Sequence, residues 1–137
     1  MAHLYLALAY ALILASDPTK AAFQEKQLEG VWEAVKITHP KPVSPSQAAS
    51  EKGELQWNQI HLFAGHKFEA QFTAPLDGKW VLKGARVILL PNSMGSSGSS
   101  MVVKIKLDPI PLSISKDGNS MTRTFAGRSM IFKKKAG

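Results

Sequence analysis

The sequence contains no cysteine. That absence removes disulfide staples, thiolate zinc sites, iron–sulfur ligation and any thiol nucleophile. Acid is scarce too: 10 Asp+Glu stand among 137 residues, mostly in turns or beside lysines, with no obvious pair for acid/base work. The H-E-x-x-H, G-x-S-x-G, Walker and dinucleotide-binding patterns are all missing. The serines of Ser93–Ser100 have no base partner and read as a linker. The longest uncharged apolar run, Leu4–Ala15, falls short of the about 17–25 residues that a membrane span needs. These gaps point to a chain that is not an enzyme, carries no cofactor and holds its fold by packing alone.

What is present favours one small domain. Hydrophobic residues make up 45% of the chain, enough to offset the entropy of ordering it. The net charge is +7, part of it in the Lys133–Lys135 tail. That balance suits transient contact with an anionic membrane through the tail or the N-terminus. Lys67, Lys79, Lys83, Lys104 and Lys106 are scattered over solvent faces, where lysines keep sheet edges soluble, so no nucleic-acid partner is expected.

The apolar run has the length of a signal-peptide core, and Thr19-Lys20-Ala21 offers small residues for cutting before Ala22. Residues 1–21 therefore read as a signal peptide or N-terminal anchor, residues 22–137 as the barrel domain, and the compartment as secreted or periplasmic. A docked terminal helix is the alternative, because His3 is followed by no early Lys or Arg. Ala21–Gln27 suggests one or two helical turns that aim Phe23 and Leu28 at the body.

From Leu28 onward the chain reads as hairpin after hairpin. Lys67–Thr73 alternates most cleanly, with Phe68, Ala70 and Phe72 on one face and Lys67, Glu69 and Gln71 on the other. Glu54–Phe63 reads as an extended segment before it. Ala64-Gly65, Asp77-Gly78, Lys83-Gly84, Lys116–Asn119 and Ala126-Gly127 read as turns, and Pro91 as a strand end. The proline-rich stretch from His39 to Ser50 reads as a long surface connection, with a helical turn near Ser46–Glu51. Met101–Leu107, Leu112–Ile114, Met121–Phe125 and Ser129–Phe132 complete the strands. The fold class predicted is all-β, a small antiparallel up-and-down barrel behind an N-terminal hydrophobic leader or helix.

Gly30-Val31-Trp32 at the start of the first strand resembles the G-x-W signature of lipocalins and lipocalin-like domains. The run from Gly65 to Gly84 resembles the strand and turn pattern of the small bacterial members. The T-D-Y-like triplet of the family is absent. The resemblance implies that Trp32 closes one barrel end, that Arg123 (or else Arg128) packs across it, and that a small hydrophobic molecule is bound.

On the residues themselves, Trp57, Phe68, Phe72, Trp80 and Ile105 are the candidate ligand wall, although for any one aromatic the filling of an ordinary core is the better reading. His61 and His66 flank one turn and are weak metal candidates, surface histidines being the better reading. The function expected is non-enzymatic binding of a small, partly hydrophobic ligand by an exported barrel. The alternatives are a structural or protein-interaction module with a filled core and, third, a barrel that binds single-stranded nucleic acid.

Overall fold

The computed structural model describes residues 23–72, 74–95, 102–103 and 107–136. The proposed leader, residues 1–21, and the candidate Ile105 lie outside the described residues. The strands are β1 (Gly30–Thr38), β2 (Gln59–Phe63), β3 (Lys67–Gln71), β4 (Pro75–Lys83), β5 (Arg86–Gly95), β6 (Val102–Val103), β7 (Ile110–Ile114), β8 (Ser120–Phe125) and β9 (Arg128–Lys134). All pairings are antiparallel, and β1 meets both β2 and β9 while β5 meets both β4 and β7. The ring is thus closed. Met94 pairs with Leu76 of β4 on one side and Val103 of β6 on the other, so β6 continues the β7 side of β5. The expected all-β, eight-position up-and-down barrel is what the chain forms.

Alternation builds the interior. Phe68 and Ala70 of β3, Ile60 and Leu62 of β2, and Val87 and Leu89 of β5 all turn inward and are buried. Trp32, Trp80, Met121, Met130 and Phe132 complete a dense plug through the middle and one end. Both buried indoles find a carbonyl: Trp32 donates to Leu28 O at 2.9 Å and Trp80 to Phe63 O at 3.1 Å. One irregularity opens β1, where the register against β9 slips between Ala34 and Lys36 and leaves Val35 pointing to solvent.

The two ends of the barrel differ. At the Trp32 end a short helix, α1 (Glu25–Leu28), lies across the opening, with Phe23 and Leu28 buried as the sequence predicts. His66 on the β2–β3 turn donates to Glu25 at 2.5 Å, and Lys134 donates to the Gln27 carbonyl at 2.9 Å, which ties the cap down from two sides. Gly30 has φ of +131°, a conformation that only glycine adopts freely, and so the chain can turn from α1 into β1 beside Lys134.

Four readings of the sequence need correction. The connection after β1 is not mainly irregular: it folds as α2 (Pro45–Leu55), an 11-residue helix. Ser44 caps it by accepting from Gln47 N at 3.2 Å, and Pro45 fits the first turn, where no N–H partner is needed. The extended segment therefore starts only at Gln59, and Trp57 falls in the turn between α2 and β2.

Asp77-Gly78 is not a hairpin turn but lies inside β4, opposite a bulge in β5 where Asn92 is the extra residue between Pro91 and Ser93. Gly78 is needed there for close approach, since a Cβ would stand 2.2 Å from the Leu90 carbonyl oxygen. Pro91 does not end β5. It sits opposite Gly78 at the bulge, where the ladder is already broken and a missing N–H does least harm.

Candidate functional site

The end of the barrel away from α1 is open. The ends of β3 and β8, the starts of β4, β7 and β9, and one side of α2 surround a cleft of about 550 Å³. That volume lies within the about 300–1,000 Å³ typical of small-molecule sites. Its wall is apolar: Phe72, Leu76, Ile110 and Phe125 pack against the buried core from the cleft side. Leu76 pairs with the buried Ala70, and Ile110 with the buried Leu89, so both side chains face the barrel axis.

Two arginines bring charge into this wall. Arg123 alternates with the buried Met121 on β8 and pairs with the buried Met130 on β9, which points it into the mouth rather than outward. Its guanidinium lies 4.4 Å from the centre of the Phe72 ring and 4.3 Å from that of Phe125. Arg128 stacks on Phe125 as well, at 4.9 Å. Burial, reinforced by the nearby positive charge of Arg128, pushes the Arg123 guanidinium below its usual proton affinity.

Arg128 is neutralised and Arg123 is not. Arg128 grips both oxygens of Glu54 in a bidentate pair and reaches Glu51 at 3.1 Å. These bonds, those of Glu54 first, raise its proton affinity. Glu51 is 8% exposed and accepts from His39 Nε2 at 2.8 and 2.7 Å. The His39 bond is the main cause, ahead of Arg128, that holds its carboxyl below the ordinary range. This chain of His39, Glu51, Arg128 and Glu54 binds α2 to the start of β9. Asn58 adds to it, donating to Glu54 O at 2.7 Å while its own carbonyl accepts from Ala34 N at 3.1 Å. Among the described residues, the Arg123 side chain makes no ion pair or hydrogen bond.

The sequence-predicted wall is divided by the structure. Phe72 lies at the mouth, Phe68 and Trp80 are fully buried in the packed interior, and Trp57 is 69% exposed. Trp57 is corrected from wall to surface because the turn after α2 takes it out of the sheet. Arg123 is also displaced from its expected partner. Trp32 pairs with Lys134, whereas Arg123 pairs with Met130, about 13 Å further along β9 at 3.3 Å per residue. The cation beside Gly30 is Lys134. The alternate candidate, Arg128, is held at the mouth by α2.

His61 stacks on Phe63 with ring centres 3.7 Å apart, while His66 is engaged by Glu25. No three His, Asp or Glu side chains converge as a metal centre among the described residues. Lys67 and Lys79 are cross-strand neighbours on the outer face, and Lys104 and Lys106 lie outside the described residues. Sequence reading missed Leu76, Ile110 and Phe125 as mouth residues. Their signal was position, since each stands at the end of a strand that opens on the same rim. No family model, curated protein or solved structure matches the chain.

Proposed function

We propose that the chain binds a small, partly apolar molecule at the open mouth of the barrel, as an exported carrier or sensor rather than an enzyme. The observation that carries this reading is the contrast between the two ends. One is plugged by α1 and Trp32, whereas the other keeps a cleft lined by Phe72, Leu76, Ile110 and Phe125. An apolar wall with a few fixed polar groups is the common form of a small-molecule site. The lipocalin-like kinship suggested by Gly30 and Trp32 points the same way, and so does the leader-like N-terminus.

Native mass spectrometry of the protein purified from its own host tests this. A co-purifying small molecule is expected on the native chain and should be lost in Leu76→Trp, which fills the mouth, while circular dichroism stays unchanged. A mass that matches the bare polypeptide, together with no uptake of neutral apolar probes such as Nile red, would sink the reading. The N-terminal mass from the same spectrum reports whether the leader is removed.

A second reading, a protein-interaction module, is favoured by Trp57, a large aromatic left 69% exposed beside α2. Under that reading Trp57→Ser abolishes partner capture, and Leu76→Trp has no effect on it.

A further inference from the structure

We infer that the molecule taken up at the mouth is an amphipathic anion, most simply a carboxylate with an apolar tail, and that Arg123 is its counter-ion. The inference rests on the ligand-binding reading above and names the chemistry of the ligand.

Arg123 is a half-buried charged group facing the mouth of the barrel, and each part of a charge taken out of water is costly without a partner. The ordinary remedies are absent around it. Its neighbours are the rings of Phe72 and Phe125 and a second guanidinium, Arg128, which also lies over Phe125. Two carboxylates lie on the rim, and neither serves it: Glu54 is clamped to Arg128, and Asp108 is exposed and forms no ion pair with Arg123. Arg123 is therefore the lining cation left without a carboxylate partner among the described residues.

The two rings also position the group. Phe72 and Phe125 hold the guanidinium over their rings and accept no hydrogen bond from it in the ring plane, which leaves its N–H groups available to donate. A carboxylate matches such donors with two parallel hydrogen bonds, and an ammonium or an alcohol does not. Leu76 and Ile110 then offer the tail an apolar path in the same cleft. A guanidinium over aromatic rings with unoccupied N–H donors, set in an apolar cleft, is a receptor for a head and a tail at once.

Calorimetric titration of the full chain with dodecanoate, dodecanol and dodecylamine, each below its micelle concentration, tests the assignment. Dodecanoate should bind about ten- to hundredfold more tightly than dodecanol, the range for charge-assisted hydrogen bonds, and dodecylamine more weakly than either. Arg123→Met keeps the stem on the two rings and removes the charge. It should bring dodecanoate down to the affinity of dodecanol while dodecanol itself changes less than threefold. Arg123→Lys should restore part of the preference. Equal binding of dodecanoate and dodecanol to the native chain, or a preference that survives Arg123→Met, would overturn the anion assignment and leave the apolar site standing. Binding of none of the three would overturn both.

Discussion

Trp80 and Trp57 carry the same side chain to opposite fates, and replacing each by alanine separates the packed interior from the surface. Trp80 is fully buried, and its indole donates to Phe63 O at 3.1 Å. Truncating a buried tryptophan costs about 3–5 kcal/mol through lost transfer energy and the cavity left behind. The orphaned carbonyl adds about 1 kcal/mol more if water does not reach it. Against a total of about 5–15 kcal/mol for a domain, that is roughly a third of the stability at the upper end and most of it at the lower. Trp80→Ala should therefore lower the unfolding midpoint by roughly 10–20 °C. Trp80→Phe should fall between, since it keeps most of the ring volume and loses the donor. Trp57→Ala, at a side chain 69% exposed, should stay within about 0.5 kcal/mol of the parent. Thermal and urea unfolding followed by far-UV circular dichroism measures all three without relying on tryptophan fluorescence. Equal losses for Trp57→Ala and Trp80→Ala would refute the assignment of one to the core and the other to solvent.

Two further outcomes follow from local geometry. Glu51 has its folded proton affinity held below the ordinary glutamate value of 4.5, so the folded state binds fewer protons than the unfolded chain in that range. Its contribution is present above that value and is lost as pH falls through the lowered one. The midpoint should drop more steeply below about pH 4.5 in the native chain than in Glu51→Gln, and parallel curves would remove the His39–Glu51 contact from the account. Gly78→Ala forces a Cβ against the Leu90 carbonyl oxygen and should destabilise by about 1–3 kcal/mol. Gly53→Ala in α2 meets no neighbour and should instead stabilise by about 0.5–1 kcal/mol, both read from urea midpoints.

Much of the barrel was legible because period-two alternation and positive-φ turns are local signals. Lys67–Gln71 alternates as a one-sided strand should, and Gly65, Gly84 and Gly127 each adopt positive φ at the predicted turns. Asp77-Gly78 misleads because a glycine required by close approach looks the same in sequence as one required by a turn. α2 was harder still. Its polar composition gives no strong apolar face, and its proline at the first turn reads as a breaker unless Ser44 is recognised as the cap.

The site was less legible than the fold. Phe72 was found by alternation, but Leu76, Ile110 and Phe125 become neighbours only when the ring closes. Arg123 was singled out for the wrong end, because the resemblance calls for an arginine on a late strand but the sequence does not show at which level of the barrel this one stands.

Two-dimensional amide NMR of the chain titrated with dodecanol tests the central claim, that the end beneath α2 is the binding site, most directly. Shift changes should cluster at Phe72, Leu76, Ile110, Arg123 and Phe125, with Leu28, Trp32 and the α1 cap unmoved. Changes centred on the α1 end or on the outer Lys67–Lys79 face, with the mouth silent, would contradict it.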